Sequence, residues 1–137
     1  MTNNTKNYFN SVAHNYSESS SKGFWNLLRK NEKDRILELL ENKKYKSILE
    51  LGSGSGFYTK YLLCHTKNSV TCVDFSQEML DKIDLKRVVR INSNIEDFSI
   101  NVNYDLIFCA GALEFINDIN KVFNNLEKLL SHDGVFI

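Results

Sequence analysis

The stretch Ser47-Ile48-Leu49-Glu50-Leu51-Gly52-Ser53-Gly54-Ser55-Gly56 decides how this chain is read. Its first half, Ser47–Leu51, is a short apolar run of the kind that forms a strand buried on both faces of a parallel sheet. Its second half spaces three glycines at alternate positions, which permits a tight turn and a close approach of backbone to a ligand. Beyond it, Tyr58, Tyr61, Leu62 and His65 recur at helical spacing. A strand, a glycine loop and a helix in that order form the opening unit of an α/β fold.

The pattern then repeats towards the C-terminus. Ser69–Val73 reads as a second strand ending at Asp74, and Ser76 is a suitable N-cap for a helix through Glu78, Met79 and Leu80. Val88–Ile91 is a third, weaker strand, and Tyr104–Ala110 a strong fourth. Ile119, Val122, Phe123, Leu126, Leu129 and Leu130 form a helical stripe. Asp133-Gly134 reads as a turn leading into Val135–Ile137, the start of a fifth strand. Towards the N-terminus, a short amphipathic helix is expected over Lys6–Asn15 and a loop over Ser17–Ser21. A longer helix should run from Lys22 to Asn42, with Trp25, Leu28, Ile36, Leu39 and Leu40 on its apolar side. The expected organisation is a helical leader or lid over residues 1–45 and a Rossmann-like core over 46–137, with a mostly parallel sheet covered by helices on both faces.

In such a sheet, ligands bind beyond the carboxyl ends of the strands, where strand order reverses. That gathers the Gly52–Gly56 loop, Asp74-Phe75, Asn94-Ile95 and Cys109–Glu114 around one crevice. Asp74 stands eighteen residues after Gly56 at the end of the next strand, where an acidic side chain accepts the hydroxyls of a ribose. A dinucleotide fingerprint requires glycine at the sixth position of its loop, and Phe57 stands there. A nicotinamide-dependent oxidoreductase is disfavoured on that ground. A nucleoside cofactor with an amino-acid end fits better, its carboxylate facing the amides of the loop and of the following helix.

Four segments, Glu50–Gly56, Val73–Leu80, Asn94–Asp97 and Tyr104–Ile116, resemble successive motifs of class I S-adenosylmethionine-dependent methyltransferases. The opening Tyr8–Tyr16 resembles the leader of the small-molecule members, including the quinone-biosynthesis group. The resemblance implies direct methyl transfer from S-adenosylmethionine to a small-molecule acceptor. It implies that Gly52, Ser53 and Gly54 surround the methionine part, with Glu50 holding the loop or reaching the ammonium through water. Asp74 would grip the ribose, Phe75 would pack on the adenine with Met79 beside it, and Ile95 would meet the adenine edge. Asn94 stands where the family often has aspartate. Cys109 and Ala110 would line the floor, and Tyr16 would close the pocket over the cofactor. The family's sheet has seven strands, so the resemblance also implies that the last strands are missing and that the chain stops inside strand five. Truncation, completion by a partner chain and a non-catalytic cofactor-binding module are the alternatives, with self-association through an exposed sheet edge possible in each.

The remaining features exclude more than they propose. Seventeen basic and seventeen acidic residues cancel, so no whole-molecule field attracts a polyanion. The clusters Lys43/Lys44/Lys46 and Lys86/Arg87/Arg90 read as solvated surface, and no nucleic-acid or membrane partner is expected. Cys64, Cys72 and Cys109 have no ligand-like spacing, so neither a metal site nor a disulfide framework is expected, and a reducing, cytoplasmic setting fits best. No residue constellation nominates a catalytic acid, base or nucleophile. His14 reads as an exposed helix residue and His65 as a core or boundary residue. Glu114 reads as a loop cap, and Phe24 and Trp25 as anchors of the long helix.

Overall fold

The computed structural model describes residues 7–14, 23–40 and 42–137. Helix α1 spans 7–14 and helix α2 Gly23–Leu39. Strand β1 (Ile48–Leu51) leads through the glycine loop to helix α3 (Thr59–Leu62), which continues as a 3-10 turn over Leu63–His65. There follow β2 (Val70–Asp74), α4 (Gln77–Leu80) and β3 (Val88–Asn92), then β4 (Tyr104–Cys109), α5 (Ile119–Leu129) and β5 (Leu130–Phe136). The five strands form one sheet in the order β3-β2-β1-β4-β5, and each neighbouring pair is parallel. Order therefore reverses at β1, whose two neighbours are β2 and β4.

Alternation along the central strands divides the core into two layers. Leu49, Leu51, Val73 and Ile107 pack on one face with Val122, Leu126 and Leu129 of α5. Ile48, Val70, Cys72, Leu106 and Phe108 pack on the other with Leu40, Leu62, Leu80 and Ile83. The expected stripe of α5 is real but narrower, since Ile119 and Phe123 are exposed. Asp118 caps this helix, its carboxylate accepting the Lys121 N–H at 3.0 Å. Ser76 caps α4 in the expected way, accepting from the Met79 N–H at 3.2 Å. In α2, Leu40 at the C-terminal end is fully buried but Leu39 is exposed, so the two do not share a face. The side chains of Phe24 and Trp25, and the expected loop over 17–21, lie outside the described residues. No helix among the described residues is long and apolar enough to cross a membrane.

Two local expectations are corrected. The helix after the glycine loop, expected to carry Tyr58, Tyr61, Leu62 and His65 on one face, is α-helical only over Thr59–Leu62, with Tyr58 as its N-cap and His65 in the 3-10 turn that follows. The second correction concerns β5, which starts at Leu130 directly after α5 rather than after a turn at Asp133-Gly134. Tyr104 pairs with Leu130 and Leu106 with Val135, so residues 131–134 bulge outwards opposite Asp105 alone.

Asp105 fixes that bulge. One carboxylate oxygen accepts the Lys46 and Ser47 N–H groups at 2.8 and 3.2 Å, and the other accepts the Ser131 hydroxyl at 3.1 Å. Partial burial acts to raise its pKa. The hydrogen bonds from Lys46, Ser131 and Ser47 outweigh this, and the carboxyl lies below its ordinary value. A depressed folded-state pKa contributes stability above the unfolded value that is lost as pH falls through the folded one. Asp105→Ala should therefore cost about 2 kcal/mol at neutral pH, from the loss of charge-assisted hydrogen bonds. That deficit should shrink below about pH 4, as read by urea melts; an equal deficit at pH 3 and pH 7 would contradict this account.

Candidate functional site

The loops that follow β1, β2 and β4 meet beyond the carboxyl ends of those strands, where sheets with this reversal of order bind their ligands. Gly52 sits at the tightest point. A Cβ added to it would lie 2.3 Å from the Ala112 Cβ, and its φ is +67°. The glycine is thus required by the loop after β4, whichever ligand the crevice takes. Ile95, from the loop after β3, is 4% exposed and completes this seam.

Asp74 ends β2 with its carboxylate almost wholly buried. One of its oxygens accepts the Gly54 N–H at 2.8 Å and the other the Ser76 N–H at 2.9 Å. Burial raises its pKa above the ordinary aspartate value, against the lowering effect of the backbone N–H groups it accepts. An ionised carboxylate has about four acceptor positions, and the N–H groups of Ser76, Gly54 and Phe75 do not fill them all. The loop amides are committed in another way than the sequence suggested. Gly52 and Ser53 donate to the Val73 carbonyl at 2.8 and 3.2 Å, Gly54 to Asp74, and Gly56 to the Ser53 carbonyl at 2.9 Å. They extend the sheet's bonding and close the turn, so they do not present a free anion cradle. The Ser53 hydroxyl, by contrast, is buried near the Cys72 thiol and meets no partner in hydrogen-bonding geometry among the described residues.

Glu50 shares the face of Ile48, which is the face covered by α3 (Thr59–Leu62). Its carboxylate accepts the Thr59 hydroxyl at 2.5 Å and the Cys72 thiol at 3.5 Å. Glu50 thereby ties β1 to the helix beyond the loop. Burial raises its pKa from 4.5 to about 7, the Thr59 and Cys72 hydrogen bonds oppose the rise, and the nearby Asp74 charge adds to it. Cys109, at the end of β4, is pushed up to about 12, chiefly by burial, and remains a neutral thiol.

Helix α1 (residues 7–14) lies across the same region. The Phe9 ring meets those of Phe75 and Phe115 edge-on, at centroid distances of 5.8 and 5.2 Å. Phe75 follows Asp74, and Phe115 belongs to a 3-10 turn (Leu113–Phe115) after β4, so one aromatic side chain joins α1 to both loops. Met79 is a buried residue of α4. The Asn94 amide oxygen accepts the Glu96 N–H at 3.2 Å, closing a local turn. Glu96 in turn accepts the N–H groups of Asn117 and Asp118 at 3.2 and 3.0 Å, tying the loop after β3 to the start of α5. Ala110 is half-buried and packs on the layer below α3 and α4. Tyr16 lies outside the described residues.

The structure accounts for residues that the sequence left bland. Phe57, which argued against a dinucleotide loop, lies between Arg29 of α2 and Lys60, whose charged groups stand 4.7 and 4.9 Å from its ring centre. Tyr58 donates to Glu32 at 2.7 Å, so both residues dock α2 onto the start of α3. The basic clusters are only partly solvated surface. Arg87 donates to the carbonyls of Thr66 and Asn68, both at 3.1 Å, and of Leu63 at 3.4 Å. Arg90 donates to those of Leu80 and Ile83. Lys46 and Arg87 precede β1 and β3, and so mark the amino ends of the strands, away from the crevice. His65 accepts its expected place as a boundary residue, its Nδ1 3.0 Å from the Lys43 carbonyl oxygen. His14 and Glu114 are exposed.

A parallel α/β sheet whose loops gather at the β1/β4 reversal, with an acidic residue closing β2, is the architecture of a doubly wound α/β fold. The chain belongs to the methyltransferase domain family, whose pattern matches residues 49–136. It is 32% identical over 95 residues to the malonyl-[acyl-carrier protein] O-methyltransferase of Bacillus anthracis, covering 66% of this chain and 35% of that protein. An S-adenosylmethionine-dependent methyltransferase from Clostridium acetobutylicum superposes with a TM-score of 0.72 at 28% identity, covering 90% of this chain and 55% of the other. DhpI, in a complex with SAM and HEP, shares the fold with a TM-score of 0.80 at 20% identity, over 95% of this chain and 61% of that one. The chain spans about a third to a half of the length of the curated relatives it matches.

Proposed function

We propose that this chain forms the S-adenosylmethionine-binding part of a methyltransferase that acts on a small-molecule acceptor. The observation that carries the reading is Asp74, a buried carboxylate that holds the glycine loop through Gly54 and keeps acceptor positions for a ribose diol. Two further features fit the same ligand. The buried Ser53 hydroxyl offers a polar contact on the loop. The buried Glu50 and Asp74 carboxylates place negative charge beside a ligand that carries an ammonium and a sulfonium. Phe75, Met79, Asn94 and Ile95 would form the adenine side, and Cys109 and Ala110 the floor. Helix α1 would act as a cover, held through Phe9.

When bound, S-adenosylmethionine supplies a methyl group on a sulfonium, open to direct displacement. The chain's own task is then to align and to exclude water. Asp74 and Ser53 fix the ligand laterally, the Gly52–Ala112 seam sets the depth of the crevice, and the Phe9 contacts cover its mouth. The relatives' names specify O-methylation of a malonyl group on an acyl-carrier protein. An acceptor of that chemistry arrives as a carboxylate, already ionised at neutral pH, and asks for no general base. Oxygen methylation of a carboxylate-bearing small molecule is accordingly the reaction we assign, in a cytoplasmic setting.

Calorimetric titration with S-adenosylmethionine and S-adenosylhomocysteine tests the reading. Saturable binding is expected, weakened on the order of thirtyfold, or about 2 kcal/mol, by Asp74→Ala. A folded chain that binds neither compound would overturn it. Binding without methylation of any carboxylate acceptor would leave the non-catalytic cofactor module as the better description.

A further inference from the structure

We infer that Thr59 is the positioning residue of the site, its hydroxyl holding the Glu50 carboxylate so that the glycine loop and its buried negative charge are set for a cationic cofactor. The inference rests on the proposed function and assigns a role to a residue that no sequence motif singled out. Thr59 is fully buried at the first turn of α3, and its hydroxyl donates to Glu50 at 2.5 Å. The same oxygen would stand 3.3 Å from a Cβ placed on Gly56, so it lies against the last glycine of the loop. One hydroxyl therefore joins the strand before the loop, the end of the loop and the helix after it. Glu50 and Thr59 are nine residues apart in sequence, and the loop is the segment they enclose.

The groups around Glu50 make this bond decisive. Cys72 on β2 is the other side chain bonded to the carboxylate, through a weak thiol donor at 3.5 Å. The Cys72 thiol lies within 3.6 Å of the Thr59 oxygen and is held neutral, first by burial and then by the Glu50 charge. Asp74 at the end of β2 repels the Glu50 charge, and Cys109 on β4 is a neutral thiol close enough to feel it. No cationic side chain among the described residues pairs with Glu50, so its ionised form depends on the Thr59 hydroxyl. Burial moves its titration to the neutral range, so the state of the bond bears on binding at ordinary pH.

The test is the affinity for S-adenosylmethionine and S-adenosylhomocysteine from pH 5.5 to 8.5 in the wild type, Thr59→Val, Thr59→Ser and Glu50→Gln. Wild-type S-adenosylmethionine affinity should rise through neutrality, and Glu50→Gln should abolish that rise, which separates Glu50 from Asp74. Thr59→Val keeps the volume but removes the donor. It should weaken binding on the order of tenfold at pH 7, the loss of one hydrogen bond to a charged group, and move the inflection to higher pH. Thr59→Ser should restore both. A flat wild-type profile would overturn the inference without any variant. So would a Thr59→Val protein with wild-type affinity and inflection. Failure of the wild type to bind either compound would instead overturn the functional reading beneath it.

Discussion

Gly52→Ala should destabilise the fold by about 4 kcal/mol, a large part of the stability of a domain this size. Two costs add. At φ +67° a side chain carries a left-handed penalty of roughly 1–2 kcal/mol. The new methyl, 2.3 Å from the Ala112 Cβ, must also displace backbone on one side of the seam, at about 1–3 kcal/mol. Gly54→Ala is the internal control. Its φ is +51°, but nothing lies within 4 Å of the added carbon, so only the conformational cost of roughly 1 kcal/mol applies. Chemical denaturation of both variants separates the terms. Ala112→Gly introduced beside Gly52→Ala should recover part of the loss, and equal costs at positions 52 and 54 would show that the seam is softer than described.

The second large effect concerns pH. Glu50 has a folded-state pKa of about 7 against an ordinary 4.5, raised by burial. A raised value means that the fold favours the protonated form. The associated stability is full below pH 4.5 and lost as pH rises to about 7. Glu50→Gln keeps an oxygen to accept the Thr59 hydroxyl but never ionises. It should be more stable than the wild type at pH 8 by about 3 kcal/mol, from the rise from 4.5 to about 7. Near pH 4 the two should converge. Urea melts across that range provide the measurement, and parallel pH profiles would refute the assignment. Under the proposed function the more stable variant is the poorer binder, the usual relation when a site retains a buried charge for use.

Much of this architecture was legible in the residues. Ile48–Leu51, Val70–Asp74 and Tyr104–Cys109 are short, mostly apolar runs with clear ends, as strands buried on both faces favour. The Ser76 cap and the approach of Asp74 to the glycine loop followed from spacing alone. What escaped were contacts between loops. Nothing in Gly-Ser-Gly-Ser-Gly announces that its first glycine faces Ala112 sixty residues later, or that its amides are used up by Val73 and Asp74. Thr59 gave little signal, since a threonine near a helix start has many local explanations. A glutamate in an otherwise apolar strand was the available clue, because a buried carboxylate requires a donor. The start of β5 was misplaced because Leu130 continues the apolar spacing of α5, although its backbone is already extended.

The arginine that borrows carbonyls across the sheet has a consequence for the order of assembly. Arg87 satisfies Leu63, Thr66 and Asn68, at separations of 19 to 24 residues. The end of the 3-10 turn and the residues leading into β2 therefore take part of their bonding from a residue that lies beyond β2 and α4 in the chain. Such contacts reward the chain only after the intervening loop has been closed. The segment that follows the glycine loop is thus finished from a distance in sequence, by a residue at the far end of the next βα unit.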